Sequence, residues 1–425
     1  MLDLDYIRQN PDIVQESITR RRLGLDVADF LKYDAERRDL LQRVEELRRS
    51  RNTWSEQIPK LSNEEKPKAI DEVRTIKSVL AELEPKLETV ETAFKRFHRD
   101  IPNILSPDVP FGKDDTENTE LRVWGKKPDF DFTPKDHLEL GIALDLLDFE
   151  KATLVTGSKF YFLKNEAVLL QLALQQYALD LLLKEGFSPI YSPVLAKNEI
   201  LDGAGFNPRG EEKQIYVVEE EDLSLIATSE ITLNGYFANT VLEEKDLPIK
   251  MVGISECYRR EAGSWGRFSK GLYRVHHFLK VEMFIFCKPD QSGEMHEYLL
   301  GLEEKIYQGL EIPYRVVNIC DGDLGAVAYK KYDLEAWMPG RDGGSWGEIT
   351  SCSNCTDYQA RRLNIKFKDA GGNKQLVHTL NGTAIAMSRT PIAIFENFQQ
   401  ADGSIKIPPV LQQYMGGRTV ITSKN

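Results

Sequence analysis

Cysteine is scarce in this 425-residue chain: Cys257, Cys287, Cys320, Cys352 and Cys355 are all it has. So few, and odd in number, they imply no disulfide framework. Cys352 and Cys355 form a CxxC, but no second CxxC or HxxxH accompanies them, so no structural zinc is expected and buried thiols are the reading. Long apolar runs are missing as well. The longest apolar region, Ala167 to Phe187, is interrupted at helical spacing by Gln171, Gln175, Gln176, Asp180 and Lys184. That pattern predicts an amphipathic, core-facing helix and excludes a membrane span. The opening residues, MLDLDYIRQNPD, hold neither a secretory apolar core nor the basic bias of a transit peptide, which predicts a cytoplasmic protein. Nor is there a basic excess. A net charge of −12 argues against a general nucleic-acid binder and against DNA as a partner, while leaving open a structured RNA read by shape.

What is present divides into unlike parts, and the length suggests two or three domains. Phe30, Tyr33, Arg37, Leu40, Val44, Leu47, Arg51, Trp54 and Ile58 follow alternating steps of three and four. So do Ala69, Val73, Ile76, Leu80, Leu83, Leu87, Val90, Phe94 and Phe97. Two matched heptad seams, with Pro59 and Pro67 bracketing the connection, predict an antiparallel helical hairpin roughly 42 Å long at about 1.5 Å per residue. Arg37 and Arg51 at seam positions and Pro85 inside the second arm depart from the ideal; the proline should kink its helix and free the Ala81 carbonyl. By itself such a rod reads as a dimerisation device. Arg48, Arg49 and Arg51 lie among Glu45, Glu46 and Glu56 and make no decisive basic stripe. After Pro102 the chain is rich in Pro, Asp, Asn and Gly as far as Pro134 and reads as a linker. Beyond it, helices and strands alternate without a regular βα rhythm or internal repeat, pointing to an α+β domain with antiparallel strands.

The most informative stretch runs from Ile254 to Phe286. Its second half alternates as a strand does, placing Tyr273, Val275, His277, Leu279, Val281 and Met283 on one face and Arg274, His276, Phe278, Lys280 and Glu282 on the other. Arg259 and Glu261, also two apart, precede a turn carrying Gly263, Gly266 and Gly271. The reading is a hairpin whose polar face either is merely solvated or holds an anion, a flat ring and an ammonium or hydroxyl group.

The order of these residues resembles motif 2 of the class II aminoacyl-tRNA synthetases in the form used by seryl-tRNA synthetases. Further segments carry the same resemblance. GFSPIYSP after the amphipathic helix is similar to motif 1 (about 168–193), and NGTAIAMSRTPIAIFENFQQ is similar to motif 3 (about 381–400), with motif 2 at about 254–286. SWGEITSCSN resembles the family's nucleotide segment, and Thr228-Ser229-Glu230 its serine-holding element. The implied architecture is an α+β class II antiparallel-sheet catalytic domain (135–425), joined by a linker (102–134) to an N-terminal tRNA-binding helical domain (1–101) whose coiled-coil arm spans about 28–98. The implied activity is ATP-dependent attachment of L-serine to tRNA(Ser), by a homodimer, with tRNA(Sec) left open as a second acceptor.

Residue roles follow from the resemblance alone. Arg259 would clamp the α-phosphate, within an ATP-binding run that includes Arg260 and Glu261, the latter reading adenine while Phe278 stacks on it. Arg274 and Arg389 would hold the terminal phosphates. Glu348, Ile349, Thr350 and Ser351 would line the nucleotide, with Glu348 and Ser351 sharing its Mg²⁺, an ion that favours oxygen ligands. Glu282 and Thr383 would receive the serine hydroxyl, and Thr228 and Glu230 the ammonium, with Ser229 between them. Three positions depart from the family pattern: Phe268 replaces an acidic residue in the motif 2 loop, Ala384 a glycine after NGT, and Ser229 a smaller residue. A related protein that binds RNA without charging it would have lost a clamp residue, and a ligase loading a carrier protein would not need the hairpin.

Overall fold

The computed structural model describes residues 1–206, 214–261 and 270–423, and the chain forms two compact units, Met1–Ile104 and Leu105–Asn425. Among the described residues no helix is long and apolar enough to cross a membrane.

The first unit is helical: α1 (Leu4–Gln9), α2 (Pro11–Arg20), α3 (Val27–Gln57) and α4 (Lys66–Asp100). Asp26 caps α3 by accepting the Ala28 N–H, and Pro67 sits in the first turn of α4, where its missing N–H costs nothing. The two long helices bury Leu40, Val44, Ile76, Leu80, Leu87 and Val90 in one seam, with Leu47, Trp54 and Leu83 along its edge. The seam-position arginine near the base is accommodated rather than excluded. Arg37 lies over the Phe94 ring, 4.5 Å from its centroid, and reaches the buried Asp34, which also takes Arg8 at 2.8 Å. Helix α4 is assigned without interruption through Pro85. Ala81 and Pro85 are both exposed, so water can serve the carbonyl that the proline leaves without a donor.

The second unit is built on an eight-stranded sheet. Its strands are β1 (Thr119–Trp124), β2 (Ser188–Tyr191), β3 (Ile249–Tyr258), β4 (His277–Cys287), β5 (Tyr314–Asn318), β6 (Lys330–Met338), β7 (Ser345–Asn354) and β8 (His378–Ala386), in the order β1-β5-β6-β7-β8-β4-β3-β2. All neighbours are antiparallel except β2 and β3. Strand β1 lies inside the stretch read as a linker. Its residues are exposed except for Trp124, which stacks on Tyr314 at 5.6 Å, so no buried stripe announced it in the sequence. Helices α5 (Glu166–Lys184) and α6 (Ser292–Gly309) contribute Leu170, Leu174, Leu299 and Ile306 to a core shared with Val281, Met283 and Ile285 of β4. Helix α7 (Thr390–Asn397) follows β8 and begins at Arg389.

Two irregularities of register shape the open face. Leu334 pairs with Thr350 but Glu335 pairs with Glu348, so Ile349 is an extra residue in β7. Thr383 pairs with Glu282 but Ile385 with Val281, so Ala384 is an extra residue in β8. Each bulge lets residues three apart share a face, as a regular strand cannot.

Candidate active site

Strands β3 and β4 form the predicted hairpin, with Tyr258 opposite His277 and Gly253 opposite Glu282. The alternation begins at His277 rather than at Tyr273, because Gly271–Tyr273 is a 3₁₀ turn. Tyr273 and Val275, expected on the core face, line a cavity together with Phe278 and Lys280, while Val275 is also buried against Cys257 and Tyr273 packs on the main core. Phe278, Lys280 and Glu282 share one face of β4, as predicted. Beyond His277 the strand is buried throughout, so its faces differ in chemistry and not in exposure.

Two cavities open along this face. The first is lined by Arg259, Glu261, Phe278, Glu348, Ile349, Thr350, Ser351, Thr383 and Arg389, besides Tyr273 and Lys280. The Arg259 guanidinium lies 5.2 Å from the Phe278 ring centroid, and its Nε donates to the Ala227 carbonyl at 3.3 Å. Arg389 pairs with Glu348 at 2.8 Å and rests 4.9 Å from the Tyr273 ring, and Arg341 lies 4.5 Å from the same ring. Burial would raise the Glu348 carboxyl, but Arg389 and Lys331 outweigh it and hold the group down at about 2. Across from Ser351, burial pushes Asp333 up to about 8 against the pull of Lys331, 3.0 Å away.

The second cavity is lined by Thr228, Glu230, Glu282 and Asn381, and by Cys355 and Ser353. Glu230 is buried, and its Oε1 accepts from Gln359 Nε2 at 2.7 Å and from Asn381 Nδ2 at 2.9 Å. Burial foremost, and then the nearby Glu282 charge, pushes Glu230 up to about 7. The Thr228 hydroxyl accepts the Glu230 backbone N–H at 3.2 Å. Glu282 Oε2 receives Lys280 Nζ at 2.5 Å and Thr383 Oγ1 at 3.2 Å. Three residues border both cavities: Arg259, Lys280 and Ser351.

Three expected site residues stand apart from both cavities. Ser229 is buried with no hydrogen-bond partner for its hydroxyl among the described residues. It packs on Gly253, where an added Cβ would come within 2.7 Å of it. Arg260 is tied through its backbone N–H to the Gln214 carbonyl at 2.9 Å. Arg274 pairs with Glu261 at 3.2 Å and borders neither cavity. Phe268, with most of the glycine-rich loop, lies outside the described residues. Conversely, Gln359, Asn381 and Tyr273 hold or border site groups without having been singled out. Asn381 stands in the quoted NGT run, but Gln359 comes from a short helix with no local signature. Behind the site, His137 Nε2 accepts the Leu272 N–H at 3.2 Å while Nδ1 donates to the buried Glu396 at 3.0 Å.

Comparison with known proteins matches residues 1–105 to the seryl-tRNA synthetase N-terminal domain. Residues 216–398 match the class II tRNA synthetase core domain of the G, H, P, S and T type. A serine–tRNA ligase of Dictyoglomus turgidum is 55% identical, with 98% of each chain covered. One of Treponema denticola is 52% identical over 98% of this chain and 99% of its own. Among solved structures, seryl-tRNA synthetase of Pyrococcus horikoshii complexed with ATP superposes with a TM-score of 0.90 at 42% identity, covering 100% of both chains. The cytoplasmic serine–tRNA ligase of Naegleria fowleri in complex with AMP gives 0.85 at 34% identity, covering 100% of this chain and 99% of its own. With both of the family's characteristic regions matched and identity above one half along nearly its whole length, the chain belongs to the seryl-tRNA synthetases of class II.

Proposed function

We propose that the protein is a serine–tRNA ligase that condenses L-serine with ATP to seryl-adenylate and passes the seryl group to tRNA(Ser). The observation that carries the reading is a row of opposite chemistries along one sheet face. Cations and an aromatic ring (Arg259, Arg389, Phe278) line one cavity, and buried carboxylates with hydroxyls (Glu230, Glu282, Thr228) line the next. The first set suits a nucleotide triphosphate. Arg259 meets the α-phosphate, Phe278 and Glu261 the adenine, and Arg389 with Arg274 the terminal phosphates, for which Arg274 must leave Glu261. The second set suits a small amino acid with an ammonium and a hydroxyl. Glu230 and Thr228 receive the ammonium, Glu282 and Thr383 the hydroxyl. Ser229, Arg260, Ile349 and Thr350 act through backbone or packing, since Thr350 gives its hydroxyl to the buried Glu303 at 2.8 Å.

Among the described residues no cluster of three or more His, Cys, Asp or Glu is set to hold a metal by itself. Glu348 and Ser351 offer one carboxylate and one hydroxyl on a shared face. That oxygen-only pair fits Mg²⁺ when substrate phosphates complete the shell. The ion would supply charge neutralisation between phosphates. The same proposal takes 1–101 as the tRNA-binding region and 135–425 as the catalytic one, and a cytoplasmic location. It also takes a homodimer: along α5 and β2, Leu172 and Tyr191 are 56% and 75% exposed, an apolar face that a second copy would cover. tRNA(Sec) stands as a second acceptor wherever the host makes one.

Arg389→Ala tests the nucleotide half. Removing a charge-assisted contact to phosphate should raise KM for ATP at least about tenfold while KM for serine stays within about threefold. Steady-state pyrophosphate exchange measures both, and equal shifts in the two would move Arg389 out of the nucleotide site.

A further inference from the structure

We propose that Lys280 is a catalytic cation of adenylate formation, placed where the two substrates meet; this rests on the reading of the two cavities given above. The serine carboxylate must leave the second cavity's walls to reach the α-phosphate in the first, so the reacting oxygen lies where the cavities join. Arg259, Lys280 and Ser351 are the residues common to both linings. Two of them are cations, and each is held. Arg259 rests over Phe278 and on the Ala227 carbonyl. Lys280 is 7% exposed at its side chain and tied to Glu282 Oε2 at 2.5 Å. That contact occupies one ammonium hydrogen of three and leaves others for a substrate oxygen.

The step joins two anions. A serine carboxylate oxygen forms a bond to the α-phosphorus as the bond from that phosphorus to the bridging oxygen breaks, and pyrophosphate departs with the electron pair; no proton moves. Negative charge accumulates on the oxygens around phosphorus, and a fixed ammonium beside them is worth more there than in water. Glu282 then has two tasks: accepting the serine hydroxyl and aiming Lys280. The competing reading is that Lys280 only neutralises a buried carboxylate, for which an unpaired charge would be costly.

The two readings separate in a double-variant comparison. Lys280→Met should lower the single-turnover rate of adenylate formation, at saturating ATP and serine, by about a hundredfold. In the Glu282→Gln background the carboxylate that Lys280 contacts is gone, and the other buried acid of that cavity, Glu230, keeps its own donors in Gln359 and Asn381. Lys280→Met/Glu282→Gln should still fall at least about tenfold below Glu282→Gln alone, because the cation is missing from the reacting oxygens. The double variant also removes the uncompensated charge that could stop the single variant from folding, so the comparison survives that failure. If the double variant matches Glu282→Gln, or if Lys280→Met alone stays within threefold of the unmodified rate, Lys280 is a counterion and the inference fails. Failure of the underlying reading looks different: the unmodified protein would then form no adenylate with serine.

Discussion

Glu282→Ala is expected to lower kcat/KM for serine by about a thousandfold while the Kd for ATP changes less than about threefold. Glu282 is 1% exposed, faces the second cavity and accepts the hydroxyl of Thr383, which borders the first, at 3.2 Å. A site built around a buried acceptor discriminates steeply for the hydroxyl that satisfies it, and alanine in its place gives that up. The same change leaves the Lys280 ammonium buried without its partner, so the unfolding free energy should drop by about 3 kcal/mol. Exchange kinetics and ATP titration read the first effect, and thermal unfolding reads the second. Equal loss of ATP and serine affinity would show that Glu282 serves the nucleotide instead.

Removing the outer part of the helical hairpin, residues 41–86, and joining the ends with a short turn should leave serine-dependent pyrophosphate exchange within about twofold. Aminoacylation of tRNA(Ser) should fall by at least about a hundredfold. All the candidate site residues belong to the unit Leu105–Asn425, so adenylate chemistry needs nothing from the rod. The rod has its own core, and its base keeps the Phe30–Phe94 stack at 5.1 Å and the Arg8–Asp34 pair after the cut. Arg48 lies 2.8 Å from Glu84 across the hairpin, with both side chains about half exposed. Neutralising Arg48 and Arg49 should weaken tRNA binding and flatten its salt dependence. Full charging by the shortened protein would make the hairpin a dimerisation or stability device.

The fold class was legible because the decisive residues sit in runs whose order is distinctive, and the same runs named most of the residues that the fold brings together around the two cavities. The heptad seams of α3 and α4 show in the chain as they pack in the fold, since a hairpin's core is local in sequence. Other features needed three dimensions. Glu348 and Ser351 are three apart and would lie on opposite faces of a regular strand; the bulge at Ile349 reconciles them, and no spacing rule predicts it. The same holds for Thr383 and Ala386 about Ala384, where the departure from glycine is accommodated in a buried bulge. The period-two reading began too early, since a 3₁₀ turn precedes β4; Val275 is nonetheless buried with Cys257 and Phe278, while Tyr273 packs on the core and also borders the first cavity. Strand β1 was hidden by turn-forming neighbours and by exposure on nearly all of its length. Gln359, which fixes Glu230, arrives from a distant helix, and such a contact leaves no local trace.

Pyrophosphate exchange into ATP, measured with each of the twenty amino acids in the presence of Mg²⁺, bears most directly on the site as assigned. Serine should drive exchange. Alanine, which lacks the hydroxyl that Glu282 accepts, should fall short by a factor of at least about a thousand. Threonine differs by one methyl and should be rejected less steeply, by about ten- to a hundredfold, because a methyl is excluded by space alone. Exchange driven equally well by another amino acid, or by none, would contradict the assignment of Thr228, Glu230, Glu282 and Thr383 as a serine site.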